Sequence, residues 1–300
     1  MTLLSSKFSE IANAYDVFFF DLWGVIHNGK EPFANTLDCL RDLKKKGKPV
    51  FLLSNSPRLA QPTADRLTQM GVPFDFYQGI YTSGTDCHTA LKDRTDSFYQ
   101  SLGENLYHMG PETYTPIFNT LNYVSVPALE QADFILMSST VSWIQSLEEY
   151  DPILNVALAR NLPLVCANAD KQVIYGQSRV LCAGLLAEVY QNSGGAVRLH
   201  GKPDPLMYQK VHDIAQQKLG KTVEKNKILM VGDSLATDIK GANAYGIDSV
   251  MVLMGVHGSA LLPYWQHQDI FQKQLSTLKN TYQASPTYMI PTFKNHSENL

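Results

Sequence analysis

The chain is short of the features that mark several whole classes of protein. It has four cysteines in 300 residues, Cys39, Cys87, Cys166 and Cys182, far apart, with no CxxC spacing and no histidine pairing. That argues against a disulfide framework or a zinc site and reads as reduced, mostly buried thiols of a cytoplasmic protein. Charged residues make up only 18% of the chain, and the formal net charge is -3. With neither sign in excess, nothing electrostatic points to nucleic acid or to an anionic membrane. The one basic clump, Lys44-Lys45-Lys46-Gly47-Lys48, reads as the solvated end of a helix, where lysines oppose the helix dipole. No apolar run reaches membrane-spanning length, and Met1 to Tyr15 lacks the basic patch and continuous apolar core of a signal peptide. No internal repeat at solenoid spacing is present.

What the chain does have is alternation. Asp16 to Asp21 is an aromatic run too continuous for a one-sided sheet and predicts a strand buried on both faces. Helical spacing follows over Asn35 to Lys46, closed by Gly47; Pro49 to Leu53 is the next strand. Pro57 to Met70 is the next helix, with proline just inside its start and Gly71 past its end, and Gly79 to Ser83 is a third strand. Short links between such elements imply parallel pairing and right-handed crossovers. The alternation then restarts with strand-like runs at Asn105–Gly110, Ala132–Met137 and Pro163–Asn168, and with a long helical stretch from about Trp143 to Arg160. A helix near Leu185, a strand ending at Gly201, a helix over Leu206–Leu219 and the strand Lys227–Val231 come next. A helix over Ala236–Tyr245 and the strand Ser249–Leu253 follow. The expected fold is α/β: a Rossmann-like core of residues 1–84 and 182–300, interrupted by a second α/β domain of residues 85–181. Gln283 to Leu300 is read as an extended tail packed on the core.

Four segments place a charged or hydroxyl residue where an apolar run ends, which is where an open α/β sheet builds its site. Asp21 lies one residue beyond Phe18-Phe19-Phe20, with Gly24 close behind to let the chain turn. A carboxylate there can serve as a nucleophile, or it can simply cap a turn. Asp233 ends Leu229-Met230-Val231-Gly232, and Asp238 follows five residues later at a helix start. Clustered carboxylates repel unless a cation neutralises them, and Mg²⁺ suits oxygen ligands. Ser54 and Asn55 follow Phe51-Leu52-Leu53, where hydroxyl, amide and helix N–H groups together make either an anion site or a helix cap. Lys202, between Gly201 and Pro203, suits a point charge aimed at phosphate.

In this order the four segments resemble the motifs of the haloacid dehalogenase (HAD) superfamily. The insertion between the second and third is similar to the cap of its class IIA, NagD-like subfamily. The resemblance runs from Asp16 to about Gly258; Gly201-Lys202-Pro203-Asp204-Pro205 and Val231-Gly232-Asp233-Ser234-Leu235-Ala236-Thr237-Asp238 are its most specific stretches. It implies a Mg²⁺-dependent phosphatase of a small phosphorylated metabolite, of the sugar phosphate, nucleotide or pyridoxal phosphate kind. By that resemblance Asp21 is nucleophile and metal ligand, while Ser54 and Lys202 hold the transferring phosphoryl group. Gly24 and Asn55 support the loop, Asp233 ligates the metal, and Asp238 holds its shell. Asn168 and Asp170 match a cap loop that faces the core site in relatives, with Ala169 in place of its proline. Dimers through such caps occur in the subfamily.

Position 23 departs from the pattern. Phosphatases of the superfamily place there a second aspartate as general acid and base, and here it is Trp23. Its backbone carbonyl still suits the metal; its side chain cannot move a proton. Loss of a positioned acid/base typically costs ~10²–10⁴ in rate. Three accounts stay open: a substitute such as His27, a substrate with a good leaving group, or chemistry on another bond. A metal- and phosphate-binding protein that turns over poorly is the alternative to an efficient enzyme. Arg58, one turn past Ser54, is read as solvated or as reaching a substrate anion.

Overall fold

The computed structural model describes residues 2–5, 7–140, 146–176 and 178–293. Seven parallel strands form the first sheet, in the order Leu3–Leu4, Tyr288–Ile290, Asp248–Val252, Ile228–Gly232, Val17–Phe20, Val50–Ser54 and Gly79–Thr82. Val17–Phe20 sits inside this sheet and is buried along its whole length. Its side chains alternate between faces, as the strand period requires. Phe18 and Phe20 pack with Phe8 and Phe293 on one side, while Val17 and Phe19 pack with Met207 and Val211 on the other. Each such aromatic side chain contributes about 1.5–3 kcal/mol by leaving water.

A second sheet of five parallel strands runs Val197–Leu199, Leu164–Cys166, Phe134–Met137, Asn105–Met109 and Val124–Ser125. It has its own core on both faces. Cys87, Leu91, Phe134 and Val165 lie on one side; Ile135, Leu164, Leu186 and Tyr190 lie on the other. An antiparallel hairpin, Gln172–Tyr175 with Ser178–Leu181, projects from this cap domain. Among the described residues no helix is long and apolar enough to cross a membrane.

Several elements differ from the sequence expectation. The helix Ala183–Asn192 and the strand Val197–Leu199, expected to resume the first domain at residue 182, pack on and pair with the second sheet. The chain therefore returns to the first sheet only after His200, because Val197–Leu199 finds an open edge beside Leu164–Cys166. The helix expected from Pro57 starts at Ala60. Residues 56–58 are held out of it: Gly84 N–H donates to the Ser56 carbonyl, and the Thr82 hydroxyl donates to that of Arg58. The helix expected from Trp143 is Asp151–Ala159, with Pro152 in its first turn, where a missing N–H is harmless; Trp143 lies outside the described residues. Within the expected tail, Tyr288–Ile290 forms a sheet strand, and the helix Gln268–Tyr282 before it has no counterpart in the sequence reading. Residues 294–300 of that tail lie outside the described residues.

Candidate active site

The sheet brings the four segments to one edge. Val17–Phe20 lies between Ile228–Gly232 and Val50–Ser54, with Phe20 in register with both Val231 and Leu52. Asp21 continues the ladder, its N–H donating to the Val231 carbonyl at 2.9 Å. Side chains at the carboxyl ends of three neighbouring strands thus converge. Oxygens of Asp21, Asp233 and Asp238 all lie within 4.8 Å of one another, and all three residues are buried. An all-oxygen set of this charge fits a hard divalent cation such as Mg²⁺.

Lys202 ties the cluster together. Its ammonium donates to Asp21 Oδ1 at 2.6 Å, Asp238 Oδ1 at 2.7 Å and the Leu53 carbonyl at 3.0 Å. All three of its N–H donors are thereby engaged. The second oxygen of Asp238 accepts from the backbone N–H groups of Asp233 and Ser234, at 3.2 and 3.1 Å. Asp233 Oδ2 accepts from Val256 N–H at 2.7 Å. Gly24 turns at φ +81°, and a Cβ there would strike the Asp233 carboxylate, so glycine is required on two counts.

Burial and crowding hold this site away from ordinary ionisation. Burial raises the Asp21 carboxyl, the Lys202 ammonium lowers it, and Asp238 and Asp170 raise it again, leaving it at about 8. Asp233 is pushed well above the carboxylate range by burial and then by Asp238 and Asp21. Burial pushes Lys202 down, but Asp21 and Asp238 outweigh it and the ammonium is held above its usual value. One lysine among three carboxylates leaves uncompensated negative charge, and such a set is stable when a cation joins it.

The next ring spans both domains. Asn55 Nδ2 donates to Asp170 Oδ1 of the cap at 2.9 Å and to the Lys202 carbonyl at 3.0 Å, while its Oδ1 accepts from Lys202 N–H at 2.7 Å. Asn168 Oδ1 accepts from Asp170 N–H at 2.9 Å, fixing the cap loop that presents Asp170. Ser54 Oγ accepts from Ser56 N–H at 3.1 Å. Asp21, Trp23, Ser54, Asn55, Asn168 and Asp170 all border one cavity of about 370 Å³ between the domains. Burial lifts Asp170 to about 6, against the lowering effects of Lys202 and Asn55.

Trp23 has a different use. Its indole N–H donates to the Ile174 carbonyl of the cap hairpin at 2.7 Å, and its ring lies 6.1 Å from that of Tyr175. Gly176 N–H donates to the Asn28 carbonyl at 3.0 Å beside it. The side chain at the departing position fastens cap to core. His27, named as a substitute acid or base, is buried against Trp23, and its Nδ1 accepts from Gly29 N–H at 3.0 Å. Burial, and then Arg66, lower it to about 4, so it is neutral at physiological pH.

The sequence reading missed the hairpin, Arg66, Thr113 and Tyr114, which also border the cavity. Arg66 stands eight residues after Arg58 on a helix surface, a spacing without any chemical mark. Arg58 is neither simply solvated nor loose: its Nη1 donates to Thr113 Oγ1 at 2.8 Å, and the guanidinium lies 4.9 Å from the centre of the Tyr114 ring.

Known proteins resemble this chain in sequence and fold. Residues 18–123 match a haloacid dehalogenase-like hydrolase model, and residues 199–278 match a HAD-hydrolase-like model. The chain is 26% identical over 244 residues to the 5'-nucleotidase YutF of Bacillus subtilis, covering 81% of this chain and 88% of that one. It is 25% identical over 246 residues to the ribonucleotide monophosphatase NagD of Escherichia coli K12, covering 79% and 86%. A haloacid dehalogenase-like hydrolase structure from Brucella suis 1330 superposes with a TM-score of 0.82 at 27% identity, covering 97% of this chain and all of that one. By these matches this chain is a member of the haloacid dehalogenase superfamily, in its class IIA, NagD-like branch.

Proposed function

We propose that the chain is a Mg²⁺-dependent phosphatase of a small phosphorylated metabolite, with Asp21 as nucleophile. The observation that carries this reading is the convergence of Asp21, Asp233 and Asp238, the first and last of them paired with Lys202, beside a cavity shared with the cap. One Asp21 oxygen attacks phosphorus as the ester P–O bond breaks, giving an aspartyl phosphate and an alcohol; water then releases inorganic phosphate and restores Asp21. Lys202 favours the ionised form of Asp21, a task a bound cation would complete, and, by giving up one of its protein contacts, offsets charge on the transferred group. The Ser54 hydroxyl donates to a phosphoryl oxygen, and Asn55 and Gly24 keep the loops in place. A Mg²⁺ ion held by Asp21, Asp233 and the Trp23 carbonyl, with Asp238 fixing its shell, would neutralise the carboxylates and the substrate phosphate. Nucleotides, sugar phosphates and pyridoxal phosphate are the substrate classes of this reading.

The proton for the leaving oxygen comes from Asp170 in this reading. Trp23 is committed to Ile174, and His27 is neutral, with Nδ1 already accepting from Gly29. Asp170 borders the same cavity, and its carboxyl is held near 6, a value suited to proton transfer close to neutrality. A second reading, a phosphate- and metal-binding protein with slow turnover, draws on the same Trp23 contact, since the usual acid is absent. Mg²⁺-dependent phosphate release from an aryl phosphate and a panel of alkyl phosphates, with Asp21→Asn as control, tests both. Release from both supports a working acid; release from the aryl ester alone leaves a nucleophile without one. No release from either ester leaves the binding reading or chemistry on another bond.

A further inference from the structure

The cavity that meets Asp21 is also lined by two arginines. Arg58 enters from the loop after Ser54 and Arg66 from the helix Ala60–Gln69. Each makes a single polar contact and neither forms an ion pair among the described residues: Arg58 with Thr113 Oγ1 at 2.8 Å, Arg66 Nη2 with the Gly29 carbonyl at 3.3 Å. The carboxylate next to Arg66, Asp65, accepts instead from Gln61 at 2.8 Å. A guanidinium carries five N–H donors, so most of them on each arginine remain for a ligand.

Both groups are held in place without being neutralised. The Tyr114 ring supports the Arg58 plane. Gly29, to which Arg66 is tied, is fixed where Trp23 and Tyr175 close over it, since a Cβ there would overlap both rings. The protein already supplies Lys202, Ser54 and a cation-binding cluster for one phosphoryl group. Two further unneutralised cations in a cavity of about 370 Å³, near the lower end of the roughly 300–1,000 Å³ typical of ligand sites, exceed what a singly phosphorylated neutral molecule would use.

Resting on the phosphatase reading, we propose that the substrate is doubly anionic: a small phosphomonoester whose other end carries a carboxylate or second phosphate, received by Arg58 and Arg66. Arginine suits this role because its planar fork pairs with either oxyanion.

The test compares matched substrates: 3-phosphoglycerate against glycerol 3-phosphate for a carboxylate, and propane-1,3-diol bisphosphate against propyl phosphate for a second phosphate. The expected result is a kcat/KM about tenfold or more higher for the doubly anionic member of at least one pair. Which pair responds names the oxyanion. That ratio should collapse to below about threefold in Arg58→Gln/Arg66→Gln and survive in part in Arg58→Lys, which keeps the charge. Equal rates within both pairs, or a preference the double variant retains, overturn the proposal. So does an equal loss on both members of a pair, which would assign the arginines to the transferred phosphoryl group. If the wild type hydrolyses none of the four, aryl phosphate release decides the phosphatase reading separately, and thermal shifts with the same compounds still decide the subsite. Stabilisation that is greater for the doubly anionic member and lost in Arg66→Gln, at an exposed position, supports it; equal or absent stabilisation overturns it.

Discussion

The two sheets are built alike and end differently. Both are parallel, both are buried on two faces, and both alternate with helices. In the first, strands run out into Asp21, Ser54 and Asp233, which lie together at one edge. In the second, three strands run out into Gly110 after Met109, Ser138 after Met137 and Ala167 after Cys166, and Val197–Leu199 alone leads, through His200, to a cluster member, Lys202. The same backbone therefore supplies a reactive cluster in one case and a scaffold in the other. The strand-end residue makes the difference. The cap reaches the chemistry through loops instead: Asn168 and Asp170 after one strand, and the hairpin that carries Ile174 and Tyr175.

The most severe test of that division is Asp21→Asn. It removes the proposed nucleophile while leaving shape almost unchanged, and phosphate release should fall by about 10³-fold or more. Isotope-labelled phosphoenzyme should vanish with it. Retained turnover would shift the chemistry away from the strand ends of the first sheet.

Asp170→Asn probes the cap's claim on catalysis. Release from alkyl phosphates should drop by about 10²-fold, and release from an aryl phosphate, whose leaving group needs no proton, by much less. An equal drop on both would reduce Asp170 to a tether for Asn55.

Much of the first sheet was legible because its signals are local. An aromatic run ending in aspartate, and a glycine-aspartate pair after Met230-Val231, announce buried strands and their ends within a few residues. Asp21, Ser54, Asn55, Lys202, Asp233 and Asp238 were read this way, and the fold brings them together. What stayed hidden depends on contacts distant in sequence. Val197–Leu199 looks no different as a core strand or a cap strand; its partner Leu164–Cys166 decides. Trp23 announced a missing acid but not its bond to a carbonyl 151 residues away. Arg66 gains meaning only from the cavity beside it.

Acidification should draw opposing contributions from the first domain, destabilising through its buried histidines and stabilising through its raised carboxyls. Burial holds His27 and His257 of the core neutral down to about 4, with Arg66 and Arg179 adding to the respective shifts, and burial alone does the same for His108 of the cap. An unfolded histidine takes up its proton near 6.5, so between 6.5 and 4 the unfolded chain binds more protons than the folded one. The histidine contribution to stability is therefore present above 6.5 and lost as pH falls to 4, while Asp21, held at about 8, and the raised Asp170 and Asp233 contribute in the opposite sense. From pH 7 to 5 the loss should be on the order of 2 kcal/mol for each fully shifted core histidine. Urea unfolding of the wild type and of His27→Gln at the two pH values isolates the His27 share: acidification should favour the variant over the wild type by about that amount.

Trp23→Phe should have the smallest effect. It keeps an aromatic ring beside His27 and Tyr175 and removes only the N–H that reaches Ile174. Loss of one neutral hydrogen bond costs about 1 kcal/mol, plus a penalty if the Ile174 carbonyl finds no water. Gly176 N–H to the Asn28 carbonyl and the Lys30 ammonium over the Tyr175 ring, 5.3 Å from its centre, still hold the hairpin, so the cap should stay on. Amide exchange should then quicken in Gln172–Leu181 and leave Val17–Phe20 and Ile228–Gly232 as protected as before. The contrast matters because the side chain occupies the position of an acid. If phosphate release from alkyl esters is unchanged while hairpin exchange rises, Trp23 is a fastener and the chemistry lies elsewhere in the cavity. A rate that falls in step with exchange would mean that holding the hairpin down is itself what brings Asp170 to the reacting oxygen.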